Sequence, residues 1–417
     1  LSDPAHLAAL DLRLKMSGES MSHLYALTGI TLPATPRFST DGHLTGTLPR
    51  PASVFHYDGF NGSVGGRDLH GSLTFATAPP RPKLSGTLTS GVLKFSDLAP
   101  LIGADSNASK AQRGETVQQP ADKLLPVEPF GTDRWRTMDA DVRFTGRRIL
   151  REAQLPIQDL STHLILRDGV LTLDPLRFGV AGGDLDSSIV LDGRKSPMQG
   201  RMKIFARHLR LKQLFPTVQL MQNSAGEING AVTLSGSGNS VAALLGSSDG
   251  EVKLLMNGGT ISDTLLEEAG LNVANVVLDK LFGDKTVQIN CAAADFTARN
   301  GVYDARLFVF DTEDSTIGIT GTLDLGSEKL DLAMHPHSKG VRVFSLRSPL
   351  YLRGTLKNPD AGVEKGPLLA RAAGAVALGT VAAPLAALAA LVAPSHDDAN
   401  QCGKLIARLR GKPLSGG

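Results

Sequence analysis

Aromatic side chains are scarce: 15 Phe, 4 Tyr and 1 Trp in 417 residues. Single-strand binders stack bases on such rings, and duplex binders carry a basic stripe. With Lys+Arg 43 against Asp+Glu 41, for a net charge of +2, nothing in the composition points to nucleic acid. Two cysteines are too few for a disulfide scaffold or a four-ligand zinc site. A phosphate loop ending Gly-Lys-Ser/Thr and a His-Glu-x-x-His are missing, and no catalytic constellation holds, so the expectation is a non-enzyme that uses no cofactor and no metal. The chain begins at Leu1 without Met, signal peptide or early long apolar run, which predicts a segment cut from something longer. Hydrophobic residues at 41% are ample for a core and exclude wholesale disorder.

What is abundant is turn punctuation between short alternating runs. Asp-Gly or Asn-Gly pairs begin at Asp41, Asp58, Asn61, Asp168, Asp192, Asn229, Asp249, Asn257 and Asn300. Each can supply the two positive φ values of a tight type I′ hairpin turn. Leu164-Ile165-Leu166 and Val170-Leu171-Thr172-Leu173 flank Asp168-Gly169 as one hairpin. Val287 to Cys291, Ile317 to Gly321, Leu330 to Met334 and Leu350 to Arg353 alternate apolar with small or polar residues. That is the period of half-buried antiparallel strands, and it predicts a β-meander. A weak repeat joins Arg167-Asp168-Gly169-Val170 to Arg299-Asn300-Gly301-Val302, with Phe178 matching Phe310 and Leu191-Asp192 matching Leu323-Asp324 at the same offset. It is either a repeated module or the common likeness of hairpins.

Three stretches break the β pattern. Residues 103–122 carry Ser, Ala, Gln, Lys and Gly with Val117 as the single large apolar residue, and predict a disordered linker between two β blocks. A short connecting helix is expected around 207–222. Ser262 to Leu281 carries Leu265, Leu266, Leu271, Val273, Val276, Val277, Leu278 and Leu281 at helical spacing, with Ser262 as cap and Gly283 as stop.

Ala372 to Ala393 is uncharged, Ala-rich and interrupted by Gly374, Gly379 and Pro384. It fits a membrane span or re-entrant segment, a helical hairpin broken at Pro384 that lies on a membrane or caps a β groove, or a buried helix. The following Lys404, Arg408, Arg410 and Lys412 interleave with Leu405, Ile406 and Leu409. That pattern suits an anionic lipid surface or a solvated amphipathic end. His335-Pro336-His337 offers two imidazoles and no third ligand. Asp311, Glu313 and Asp314 predict an exposed turn in preference to a calcium site. Cys291 and Cys402 form a possible disulfide, closing a loop of about 110 residues for about 4–5 kcal/mol in the chain-entropy model; two free buried thiols are the alternative.

A family likeness rests on particular residues. Asp141-Val142-Arg143-Phe144-Thr145, Leu155-Pro156-Ile157 and Leu160-Ser161-Thr162-His163-Leu164 lead into Asp168-Gly169-Val170-Leu171 and then Asp174-Pro175-Leu176-Arg177-Phe178 through Gly183. Upstream, Leu24 to Ile30, Leu32 to Pro36 and Asp97 to Gly103 add to it. Together they resemble the AsmA family of bacterial envelope proteins, in its C-terminal portion. The resemblance implies an extended antiparallel meander forming a curved, U-shaped groove sheet in the periplasm of a Gram-negative cell. It further implies an inner-membrane anchor upstream of this chain and phospholipid passed between membranes, or a part in outer-membrane assembly.

The expected organisation is a β-groove segment over 1–102, a flexible linker over 103–137, a β domain over 138–366 with an inserted helix over 262–282, and a helical tail over 367–417. Desorbing an acyl chain of about 16 carbons into water costs on the order of 12 kcal/mol, at about 0.8 per methylene, so a continuous apolar face would serve as a conduit. About twenty strands at about 4.8 Å each would make it about 100 Å long. Candidate lining residues are Leu164, Leu166, Val252, Leu254, Ile289, Ile317, Ile319, Leu330 and Leu332. The expected partners are phospholipid acyl chains, and a membrane surface or envelope protein met by the tail. The competing reading is a scaffold whose apolar faces close on each other as a sandwich and which binds proteins. Periodicity alone does not say which face is which, because a one-residue slip reverses the assignment.

Overall fold

The structure is a computed structural model and describes residues 9–47, 52–112, 114–150, 157–214, 222–262, 286–313, 315–339 and 350–363. The fold is mainly β, an open and mostly antiparallel sheet with a few short helices. The chain divides into two compact units, Leu1–Phe205 with Thr233–Asp249 and Ala206–Val232 with Gly250–Gly417.

In the first unit β1 (Ala9–Gly18), β2 (Phe38–Thr47), β3 (Val54–Val64), β4 (Arg67–Ala76), β5 (Lys83–Lys94), β6 (Asp139–Leu150), β7 (Ile157–Arg167), β8 (Val170–Val180) and β9 (Gly183–Asp192) each pair with the next. β10 (Gln199–Arg210) and β11 (Ala225–Ser237) follow in the chain. In the second unit β12 (Asp249–Ser262), β13 (Thr286–Arg299), β14 (Val302–Thr312), β15 (Ser315–Asp324), β16 (Lys329–Ser338), β17 (Leu350–Thr355) and β18 (Pro359–Val363) pair in the same consecutive way.

Only some of the Asp-Gly and Asn-Gly pairs make the turns their chemistry suggests. Asp168-Gly169 (φ 48° and 76°) closes β7 on β8, and Asn300-Gly301 (48° and 78°) closes β13 on β14. Gly42 instead lies inside β2, where a Cβ would come within 2.6 Å of Phe60 and 2.8 Å of the Tyr57 ring. There glycine admits bulky neighbours and does not reverse the chain. The two true turns head a repeat. β8 and β14 start at Val170 and Val302, and β9 and β15 at Gly183 and Ser315, each pair 132 residues apart. The N–H of Gly193 donates to Gly169 O at 2.9 Å, and that of Leu325 to Gly301 O at 2.9 Å, at the same offset. One copy of this three-strand module sits in each unit.

Two expectations are corrected. The meander is interrupted by a parallel pair, since Lys83 opposes Asp139 and Lys94 opposes Leu150. A parallel neighbour needs a crossover, so the chain leaving β5 must travel back before β6 can begin. The stretch between β5 and β6 does this within the first unit. Its described residues, 103–112 and 114–137, form a strap tied down by hydrogen bonds, where the sequence predicts a flexible linker between domains. The helix Asn107–Gln112 is tied down where Asn107 Oδ1 accepts from Gln119 N at 2.7 Å. The Gln119 amide donates to Leu125 O at 2.9 Å and accepts from Val127 N at 3.1 Å. Pro126 O accepts from Ala242 N at 2.9 Å, at the start of the helix Val241–Gly246. Lys110, 1% exposed, places Nζ 2.7 Å from Glu128 Oε2. The strap is held by polar groups, and its composition therefore mimics disorder.

Around 207–222 the described residues show the helix Leu211–Leu214, preceded by residues up to Arg210 that continue β10, while 215–221 lie outside the described residues. Apart from Ser262, which ends β12, the helix expected over 262–282 lies outside the described residues, as does the tail over 367–417. No helix among the described residues is long and apolar enough to cross a membrane.

Removing one member of a buried ion pair strands the other charge at a cost of about 3–5 kcal/mol. Lys110→Ala is therefore expected to lower the unfolding free energy by about that much and to expose residues 103–130 to limited proteolysis. A flexible linker would show neither change.

Candidate functional site

Opposed residues in a ladder share a face, and alternate residues along a strand take opposite faces. The registers of the first unit therefore assign every side chain from β1 to β9. One cross-strand row runs Leu10, Gly46, Phe55, Phe75, Leu84, Ala140, Leu166, Leu171 and Leu191. The next on the same face runs Leu12, Leu44, Tyr57, Leu73, Gly86, Val142, Leu164, Leu173 and Ile189. Across nine strands no charged residue enters either row.

The second unit repeats the arrangement. Gly250, Ala298, Tyr303, Leu323, Leu330 and Gly354 form one row from β12 to β17. Met256, Ala292, Phe310 and Ile317 form another. Val252 opposes Phe296, Leu254 opposes Ala294, Ile319 opposes Met334 and Leu332 opposes both Gly321 and Leu352. A bulge between Ile289 and Cys291 keeps Ile289 on the side of Met256 and Phe310, with which it packs.

The nine candidate lining residues thus lie on the apolar face of their own unit: Leu164 and Leu166 in the first, Val252, Leu254, Ile289, Ile317, Ile319, Leu330 and Leu332 in the second. They are not equally accessible. Ile289 (0% exposed), Ile317 (7%) and Leu166 (8%) are core, Leu254 is 39% exposed, and the remaining five are half-buried. The alternation Leu10, Leu12, Leu14, Met16 in β1 belongs to the same face and was legible as a period-two run. Two aromatic pairs pack on this face: Tyr57 stacks on Phe60 at 5.1 Å between ring centroids, and Phe296 meets Phe308 edge-on at 5.6 Å.

Over residues 1–308 the sequence matches the AsmA family. The chain belongs to the AsmA family. It is 52% identical to the AsmA family protein YhjG of Escherichia coli (strain K12) over 418 residues, covering 98% of this chain and 61% of that protein. The chain therefore spans less than two thirds of that relative's length. No solved structure matches it.

The opposite face of this AsmA-family sheet bears cross-strand ion pairs, although in the second unit Leu255, Ala293 and Val309 also share a row there. Arg13 on β1 reaches Asp41 on β2 with Nε 2.6 Å from Oδ1 and Nη2 2.9 Å from Oδ2. Lys83 on β5 and His163 on β7 both meet Asp141 on β6, at 3.3 and 2.8 Å. In the second unit Arg306 bridges Asp295 at 2.9 Å and Glu251 at 3.2 Å. Hydrogen bonding from Arg13, with Lys15 beside it, holds the Asp41 carboxyl down at about 2. Arg194 does the same for Asp192, also at about 2.

The residues with catalytic or ligating chemistry lie outside the apolar face. His335 places Nε2 3.3 Å from Thr320 Oγ1, and His337 Nδ1 lies 3.1 Å from His335 O. Among the described residues no three His, Cys, Asp or Glu side chains gather into a group that could hold a metal. The acidic run at 311–314 is not an exposed turn at its first member. Asp311 is 3% exposed and ion-paired to Lys339 at 2.8 Å. Burial opposes its ionisation, but hydrogen bonds from Lys339, Thr316 and Asn290 outweigh it and keep the carboxyl below its ordinary value. Gly246-Ser247-Ser248-Asp249-Gly250 has nucleophile-elbow spacing, missed in the sequence. It runs from helix to strand, the reverse of an elbow, and Ser248 is 1% exposed with its hydroxyl donating to Leu245 O at 2.7 Å. Cys291, on β13, is 1% exposed and disulfide-bonded; Cys402 lies outside the described residues.

Two measurements check these assignments. A carboxylate with a depressed folded-state pKa stabilises above its unfolded pKa and loses that contribution as pH falls through the folded value. Asp41 is expected to titrate near 2 by NMR, returning to the ordinary carboxylate range in Arg13→Gln, with the ladder's stabilisation lost from about pH 4 downward. In the unreduced protein, unfolded in denaturant, alkylation is expected to label no thiol until reductant is added; immediate labelling of Cys291 would contradict the bond.

Proposed function

We propose that this AsmA-family chain binds lipid acyl chains along the apolar sheet faces of its two units and serves, without catalysis, in moving phospholipid through the periplasm of a Gram-negative cell. The observation that supports this reading is the pair of uninterrupted apolar rows crossing β1 to β9, backed by a polar face bearing ion pairs. A two-faced sheet of this kind keeps hydrocarbon from water on one side while its other side stays wet. Each methylene so shielded is worth about 0.8 kcal/mol, so modest stretches of face suffice to hold a tail. Half-buried Ile319, Leu330 and Leu332, and Leu254 at 39% exposure, are the positions where a guest tail finds apolar surface not already filled by the protein.

On this reading the protein stands in the cell envelope, anchored in the inner membrane by a part upstream of this chain. The apolar tail over 372–393 and the cationic stretch after it face a membrane surface or an envelope partner. The scaffold alternative, in which apolar faces close on each other as a sandwich, would extend the packed clusters seen among the described residues: Phe38, Tyr57, Phe60, Val64 and Leu69 in the first unit, and Leu211, Met256, Ile261, Val287 and Ile289 in the second.

A photo-crosslinking side chain at Ile319 or Leu332 is expected to capture phospholipid in cells, and Leu332→Glu to abolish capture from Ile319 while leaving the fold intact by circular dichroism. Adducts with protein alone would favour the scaffold.

A further inference from the structure

The apolar face of the first unit is not uniformly open: among the described residues, the loop between β1 and β2 lies over part of it. Between β1 and β2 the chain makes a 3₁₀ turn, Met21–Leu24, and a one-turn helix, Tyr25–Thr28, before returning at Phe38. Gly18 opposes Phe38, so the loop leaves and re-enters at neighbouring positions. Its base is clasped: Ser20 Oγ accepts from Thr35 N at 3.0 Å, and Thr35 Oγ1 accepts from Met21 N at 3.0 Å. Ser20 is 1% and Thr35 7% exposed.

The far side of the loop lands five strands away, just before β6. Thr31 N lies 3.0 Å from Met138 Sδ, the Thr31 and Thr137 hydroxyls are 3.3 Å apart, and the Arg134 guanidinium sits 3.9 Å over the Tyr25 ring. In between, Met21 and Leu24 pack on Phe38, Tyr57, Phe60, Val64 and Leu69, joined by Leu14, Leu44 and Phe144. The loop thus bridges the face from β1–β2 to the start of β6 and puts its own apolar side chains where the proposed face would hold a guest.

The two ends differ in chemistry. The base has two backbone-to-hydroxyl bonds in a buried setting. The tip is held by a thioether acceptor, a pair of hydroxyls and one cation–π contact, all weak interactions. Gly29, at φ 70° and with open space around it, lies between the 3₁₀–helix segment and the tip contacts of Thr31.

We infer that residues 19–37 are a lid: Met21 and Leu24 occupy the apolar face of β1 to β6 when the tip is latched on Arg134, Thr137 and Met138, and an acyl chain enters there only when the tip lifts. The inference rests on the acyl-chain reading above and adds that the first unit is self-occluded. Guest and lid compete for one surface, so an equilibrium favouring the closed lid lowers apparent affinity by the open fraction, and a bound tail holds the lid open.

The test uses the full chain with a p-benzoylphenylalanine at Leu44, beneath the lid, or at Leu332 in the second unit. Vesicles of phosphatidylethanolamine and phosphatidylglycerol carrying a fluorescent-acyl phospholipid are the probe. With Thr31→Cys and Thr137→Cys oxidised to a bond, lipid adducts at position 44 are expected to fall about tenfold, while those at 332 stay unchanged. Reduction restores them, and the chain without these substitutions, treated with the same reductant, controls for Cys291. Arg134→Ala with Thr31→Ala frees the tip and is expected to raise adducts at 44 about threefold. Equal adducts at 44 in the oxidised and reduced forms, or no rise in the tip-freed variant, overturn the lid while adducts at 332 keep the acyl-chain reading standing. No adduct at either position in any form overturns that reading and the lid with it.

Discussion

Register is the constraint on which everything else depends. A strand has a side-chain period of two, and a slip of one residue would carry Leu164 to the polar face and His163 to the apolar one. Across β1 to β9 the two apolar rows run unbroken through eight successive pairings, including the parallel one, although bulges shift the register elsewhere in β2–β3, β3–β4, β7–β8 and β8–β9. Two devices fix the register. Apolar rows gain by burying alternate side chains on one side. On the other side ion pairs such as Lys15–Asp41 and Arg177–Asp186 join directly opposed residues and would be broken by a slip. Exposed pairs of this kind contribute little to stability individually, about 0–1 kcal/mol each. Their value here lies in discriminating between registers.

A sheet with one apolar face must find cover for it, and among the described residues that cover is uneven. Loop 19–37 and the packed cluster beneath it cover the first strands with protein side chains, and the strap between β5 and β6 exists because a parallel pair demands a crossover. Ile319, Leu330 and Leu332 of β15 and β16 are half-buried. The same architecture therefore contains an ordinary core and apolar positions with less cover. The 132-residue repeat of β8 and β9 in β14 and β15 shows that the strand module itself is indifferent to that difference: it folds the same way in both units.

The sequence by itself determined the strand period, the mainly β class, the family and the two hairpin turns at Asp168-Gly169 and Asn300-Gly301, because each of these is a local preference of backbone or side chain. It also determined that Leu164, Ile319 and their companions alternate with polar neighbours. Which of those residues are core was beyond it: Ile289 and Leu254 have similar character in the sequence, yet one is 0% and the other 39% exposed. Burial depends on what covers a face, and the covering loops are remote in sequence from the strands they cover. The strap was misread for the same reason, since Lys110 and Glu128 look like solvated charges until the fold brings them together, and Gly42 looked like a turn until Phe60 and Tyr57 were placed beside it. Local chemistry chose the elements; only the tertiary structure, by setting distant segments against one another, decided which apolar residues are buried in the protein's own core and which stay half-exposed.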